Sequence, residues 1–299
     1  MSKIRNVSIL SSFIGLWLTS FARNEVQIIL GFILILSFGI VHGANDLLLI
    51  RKLKGENFMS FWKMLMYYVA IVLIAVLLFS FIPWLAMLLF IIVSSYHFGE
   101  QHWNKLKFYE NVLTTKVFQT IYGLFILLLL FQFHRKEVMD IMYGITGIEL
   151  TFINIPILLK LIGFILAVMF LYNYNTSKIF QQNIAFELLY LLVFTIIFKV
   201  GSLIWAFAIY FIFWHSIPSL NDQIKFLYGQ VSIRNLKTYF KSAFIYWLIS
   251  MIGIVVLYFL LKEYKIFDSI FFSFLAAITF PHAIVITKIF EKRKPNNMQ

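Results

Sequence analysis

The sequence predicts an all-α fold: a polytopic integral membrane bundle of about ten transmembrane helices, a single domain over residues 1–299, with the N- and C-termini both cytoplasmic. Three observations predict it. Hydrophobic residues make up 62% of the chain and charged residues 13%, with a mean hydropathy of +0.89, whereas a soluble domain carries about 25% charged residues. The apolar residues fall in continuous runs, without the two-residue alternation of a barrel strand. Lys and Arg gather on alternate connections, as topology in a bilayer requires.

A spanning helix needs about 20 mainly apolar residues, and ten runs approach that length. The first, 7–22, lies between Arg5 and Arg23, and the second, 26–44, between Arg23 and Arg51. The third, 64–82, follows Lys63 and is parted from the fourth, 84–100, by Pro83, a residue that starts helices more readily than it continues them. The fifth, 117–133, runs from Lys116 to His134-Arg135-Lys136, and the sixth, 155–173, ends before Lys178. Lys199-Val200-Gly201 makes a tight break between the seventh, 184–198, and the eighth, 201–218. The ninth, 242–261, is bracketed by Lys241 and Lys262, and the tenth, 267–287, by Lys265 and Lys288.

With the N-terminus inside, eighteen of the Lys and Arg residues fall on cytoplasmic segments. Six fall on the opposite side: Arg23, Arg135, Lys136, Lys199, Lys262 and Lys265. Lys160, near a helix end, can snorkel to the interface. The net charge of +12 is therefore read as topological, so the expected partner is the lipid bilayer and not a nucleic acid. The chain has no cysteine, which removes disulfides, thiolate metal ligands and thiol catalysis together. The first run lacks a small-residue cleavage site and is expected to stay in the membrane.

Ionisable groups at membrane depth are costly and usually functional. Of six histidines, His42, His97, His215 and His282 lie near the cytoplasmic ends of the second, fourth, eighth and tenth runs. Each precedes the next cytoplasmic cation (Arg51, Lys105, Lys225, Lys288) by six to ten residues, which sets the four at similar depth. Imidazole is the commonest neutral metal ligand and suits Fe, Zn and Cu alike. Four from different helices can hold one metal without a thiolate. Asp46, four residues after His42, and Glu100, three after His97, can orient these ligands or stand as solvated helix-end carboxylates. His102 falls just beyond the fourth run, and His134 reads as an ordinary loop residue of the opposite face. The aromatic run Tyr210-Phe211-Ile212-Phe213-Trp214 is read as packed or lipid-facing before it is read as substrate-lining, and the basic tail at Glu291-Lys292-Arg293-Lys294 as a topology anchor.

Four stretches carry a resemblance: Val41-His42-Gly43-Ala44-Asn45-Asp46-Leu47-Leu48, Ser94-Ser95-Tyr96-His97-Phe98-Gly99, Phe213-Trp214-His215-Ser216 and Phe280-Pro281-His282-Ala283. Each is weak alone, but in this order and spacing, from residue 40 to residue 285, they resemble the Brp/Blh family of bacterial and archaeal β-carotene 15,15′-dioxygenases. The resemblance implies a multi-pass enzyme of the cell (inner) membrane that splits the central double bond of β-carotene with O₂ to give two all-trans-retinal. It implies non-haem Fe(2+) held by His42, His97 and His215, with His282 as candidate fourth ligand. A rhodopsin would be a natural consumer of the retinal, and no residue of this chain shows one. Two positions depart from the family pattern. Many members carry a second histidine four residues after that of the third motif, where this chain has Ser219. An acidic residue is common three positions after the glycine of the second motif, where this chain has His102. The fourth ligand is thus His282 by depth or His102 by substitution; His282 is preferred because His102 sits at the helix end.

Two other classes compete. A membrane lipid desaturase or hydroxylase of the His-box type uses eight or more histidines in HxxxH or HxxHH clusters, and this chain has six and no such cluster. A proton- or metal-coupled transporter would favour broken helices and paired carboxylates near midplane. Metal content separates the three: about one iron per chain for the dioxygenase, two for the desaturase type and none for a proton carrier.

Overall fold

In hydrocarbon every backbone N–H and C=O must find its partner within the protein, and for a single apolar run that means helix. The computed structural model describes residues 3–55, 60–104, 111–150, 152–261 and 267–293, and among these it contains helices and no strand. Along the chain come α1 (Lys3–Thr19) and α2 (Asn24–Leu34), which continues as a π-helical stretch, Ile35–Gly39. Then follow α3 (Asp46–Lys54), α4 (Phe61–Phe81), α5 (Pro83–Trp103), α6 (Val112–Phe133), α7 (Arg135–Thr146), α8 (Ile155–Thr176) and α9 (Lys178–Val200). α10 (Leu203–Ile209) runs through a second π-helical stretch, Tyr210–Ser216, into α11 (Ile217–Tyr228); α12 (Ile233–Leu261) and α13 (Phe267–Arg293) complete the chain.

Each of the ten apolar runs overlaps one of these helices. Among the described residues, seven helical stretches are long and apolar enough to cross a membrane: Phe61–Phe81, Val112–Phe133, Ile155–Thr176, Lys178–Val200, Leu203–Tyr228, Ile233–Val256 and Ser273–Lys292. The first two runs form shorter apolar helices, Ile4–Thr19 and Asn24–Gly39. The fourth run corresponds to α5, whose C-terminal half gathers Ser94, Ser95, His97, Glu100, Gln101 and His102. Trp62, Met66 and Leu73 on α4 and Phe164 and Leu171 on α8 are all more than half exposed, an apolar surface that lipid solvates and water does not. Lys105, Lys107, Lys262, Lys265 and Lys294, which enter the expected orientation, lie outside the described residues.

The helix starts are written locally. Ser60, Asn111, Asn154 and Ser177 precede α4, α6, α8 and α9, and each side chain accepts a backbone N–H of the first turn. Pro83 opens α5, where its missing N–H costs nothing. Two short helices were not expected from the apolar runs: α3, whose last turn carries Arg51, Lys52 and Lys54 in favourable register with the helix dipole, and α7.

The chain divides into two compact units, each assembled from three stretches. The first comprises Met1–Ile35, Ser94–Asp140 and Glu149–Pro218; the second comprises Leu36–Val93, Ile141–Ile148 and Ser219–Gln299. In the first, α6 packs on α8 and α9, α10 on α2 and α9, and α1 on the stretch Tyr210–Ser216. Gly99 and Gly123 bring backbones together there: a Cβ on Gly99 would lie 1.8 Å from the Gln119 carbonyl oxygen, and one on Gly123 would lie 1.9 Å from that of Ser95. In the second unit α13 packs on α3, α4 and α12.

Candidate functional site

The polar interior of the second unit is built around a break in the helix that begins at α2. After the π-helical stretch the chain tightens: Gly43 N–H donates to the Ile40 carbonyl, Ala44 to Val41 and Asp46 to Gly43, at 3.1, 3.2 and 3.3 Å. These three-residue turns place His42 and Asp46 in the interior, 5% and 2% exposed. His282 arrives from α13 directly after Pro281 and is also 5% exposed. The His42 and His282 rings meet edge to face, with centroids 4.8 Å apart. His282 Nδ1 donates to the Asp46 carboxylate, at 2.9 Å from Oδ1 and 3.1 Å from Oδ2, and Tyr68 Oη donates to Oδ2 at 2.8 Å. Asp46 thus engages His282 of a distant helix and is buried, not a solvated helix-end carboxylate. With Nδ1 of His282 committed to Asp46, Nε2 is the nitrogen a metal would take.

The first unit holds a second imidazole pair. His97 on α5 and His215 in the second π-helical stretch are each 1% exposed, with ring centroids 4.6 Å apart. Phe98 meets the His215 ring edge-on at 4.8 Å, and Phe211 stacks on it at 5.5 Å. The widened turn shows at its end, where the Ile217 N–H donates to the Ile212 carbonyl five residues back, and Ser216 Oγ donates to the Phe211 carbonyl at 2.9 Å. Trp214 Nε1 donates to Ser12 Oγ at 2.9 Å, which ties this stretch to α1. Within the aromatic run, Tyr210, Ile212 and Trp214 are buried and Phe211 and Phe213 partly so. π-turns inside α-helices concentrate at functional positions; here one carries His215 and the other ends three residues before His42.

The remaining histidines are engaged otherwise. His102 Nε2 lies 2.6 Å from Glu187 Oε2 and 3.3 Å from Tyr122 Oη, and Arg5 approaches Glu187 Oε1 at 3.7 Å. Glu187 is fully buried, so this cluster of Arg5, His102, Tyr122 and Glu187 satisfies a carboxylate that would otherwise be very costly. Glu100, also buried, accepts from Tyr96 Oη at 2.6 Å. His134 caps the end of α9 from the loop after α6, its Nε2 2.8 Å from the Phe198 carbonyl. Burial lowers its pKa below the usual imidazole value, against opposing pulls from Glu137 and that carbonyl.

Sequence reading singled out all four buried histidines and missed their supports. Tyr68, which holds Asp46, gave no motif. Glu187 did give one: a lone carboxylate in an apolar run is itself a signal. The donors present fit a metal such as iron, zinc or copper, since they are imidazoles in a chain without thiolates, backed by a carboxylate on His282.

The helices and their interior define a membrane protein that buries two imidazole pairs. The sequence model of the β-carotene 15,15′-dioxygenase family matches residues 33–290, a span that includes all four of these histidines, and the chain belongs to that family. No curated protein and no solved structure matches the chain.

Proposed function

We propose that this protein cleaves the central 15,15′ double bond of β-carotene with O₂ to give two all-trans-retinal, using iron(II) bound by His42, His97, His215 and His282. The observation that carries the reading is the family match over residues 33–290, and the buried imidazoles supply the donors it needs. The reaction balances without a reductant: the carbon–carbon double bond and the oxygen–oxygen bond break, and each oxygen atom ends in one aldehyde. Iron, when bound, supplies the redox centre at which oxygen becomes reactive towards the alkene.

The chain's own residues do the rest. Asp46 accepts the Nδ1 proton of His282 and fixes that ring's tautomer and direction. Phe98 and Phe211 cover the His215 ring and keep water from it. His102, with its Nε2 on Glu187, is left out of the ligand set in favour of His282. β-Carotene dissolves in the bilayer, so a catalyst among membrane helices meets its substrate without extracting it into water. The enzyme belongs in the cell membrane, crossing it about ten times with both termini cytoplasmic and acting as one domain.

Expression in β-carotene-producing cells tests the reading. Loss of colour with accumulation of retinal, and about one iron per purified chain, are expected. Unchanged pigment in cells whose membranes contain the protein would sink it, and two irons per chain would favour a His-box oxygenase.

A further inference from the structure

In a continuous helix the carbonyl of His42 would accept the N–H of Asp46, but that N–H goes to Gly43. A buried carbonyl left in this way needs another donor. Gln223 Nε2 from α11 supplies it at 2.8 Å, and Tyr239 Oη from α12 stands 3.3 Å away, its one proton shared with Gln223 Oε1. Both are buried, at 1% and 0% exposure. They are also joined to each other, Tyr239 Oη lying 2.6 Å from Gln223 Oε1, and Gln223 Nε2 reaches Ser219 Oγ at 3.1 Å. Each polar atom of the Gln223 side chain thus has a partner, which fixes the amide's orientation. Three residues on, Asn45 Nδ2 donates to the Tyr239 carbonyl at 3.0 Å, and Ser242 Oγ donates to Asn45 Oδ1 at 2.9 Å. α12 therefore grips the turn at residue 42 and again at residue 45.

We propose that Gln223 and Tyr239 are positioning residues for His42: by holding its backbone carbonyl they fix the peptide plane, and with it the direction of the imidazole. This rests on the reading of His42 as an iron ligand. Rotation of the peptide would swing the ring about its own Cα; the N–H groups of His42 and Gly43 are held by the Phe38 and Ile40 carbonyls, and the carbonyl of the same turn is held by these side chains from α11 and α12. The network thus replaces the restraint that the helix gave up on entering the turn.

The test uses the full-length protein in detergent, reading iron(II) affinity by competition with a chelator and, separately, thermal unfolding of the metal-free protein. Tyr239→Phe removes one oxygen and keeps the ring packed; Gln223→Met keeps the length and removes both polar atoms. Each is expected to weaken iron binding about tenfold, the lower end for groups that orient a ligand. The double variant should lose little more, because both act through one carbonyl. Trp205→Phe is the control, since it breaks a buried side-chain bond of similar kind to Thr19, 3.0 Å, in the other unit; it should lower the unfolding temperature and leave iron affinity unchanged. Iron affinity equal to wild type in both Tyr239→Phe and Gln223→Met, with only thermal stability reduced, would overturn the positioning role and leave the iron reading standing. A wild-type protein that binds no iron overturns the iron reading itself.

Discussion

Asp46 and His282 lie 236 residues apart in the chain and 2.9 Å apart in the fold. The carboxylate accepts a hydrogen bond from Nδ1–H, and Tyr68 Oη donates to its Oδ2, so one acidic group fixes both a ring and a phenol.

Asp46→Asn keeps the shape and removes the charge, replacing one acceptor by a donor. Iron affinity is expected to fall by about 10–100-fold, the range for carboxylates behind metal-bound histidines. Metal analysis after dialysis against a graded chelator checks this, and unchanged iron retention would show that Asp46 has no hold on the metal.

His102→Ala should separate stability from metal binding. It leaves the buried Glu187 carboxylate without the His102 hydrogen bond, at a cost of about 1–3 kcal/mol. Unfolding should come at markedly lower temperature while iron stoichiometry stays at the wild-type value. Loss of iron from well-folded protein would instead make His102 the fourth ligand.

Two glycine-to-alanine changes should have opposite signs. At Gly123 the new methyl would sit 1.9 Å from the Ser95 carbonyl oxygen, so backbones must part, at a cost of at least about 1–3 kcal/mol. Because Ser95 is two residues from His97, iron occupancy should fall as well. At Gly253, in α12, nothing lies within 4 Å of the added methyl, and the better helix former should stabilise by about 0.5–1 kcal/mol. Denaturant or thermal unfolding of the two variants checks the contrast.

The absence of native cysteine allows topology to be read one residue at a time. Glu149→Cys, between α7 and α8, should react with a membrane-impermeant maleimide added to intact cells. Gln230→Cys, between α11 and α12, should react only after permeabilisation. The reverse pattern would invert the expected orientation.

His134 gives a pH dependence whose sign is fixed. Its folded pKa lies below the unfolded value of 6.5, so the unfolded chain binds the extra proton first. Stability contributed by the neutral ring is complete above pH 6.5, declines as pH falls below it and levels off below the folded pKa. Thermal unfolding of wild type and His134→Gln between pH 7 and 5 should show a shallower decline in the variant.

Much of this was legible in the sequence because hydrocarbon admits few solutions. Ten apolar runs each overlap a helix, and the four histidines at matched depth are the four that the fold buries as pairs. What was not legible depends on tertiary partners. Nothing local announces that Gln223 and Tyr239 will meet a carbonyl some 180–200 residues earlier, or that Asp46 will choose His282 over His42. The two π-helical stretches were also hidden, since one widened turn barely alters the spacing of side chains that are apolar nearly all round. α3 and α7 escaped because they are too short and too charged to register as spans.

Those widened turns have a consequence for how the chain tolerates change. A π-turn takes one extra residue into the same arc, so the helix beyond it keeps its angular phase. Deleting a single residue between Tyr210 and Trp214 would let ordinary winding resume with His215 in nearly its present direction. Inserting one more residue there has no such outlet and would rotate His215 by about 100° about the helix axis relative to α10, taking the ring away from His97. The stretch therefore tolerates a lost residue and not a gained one.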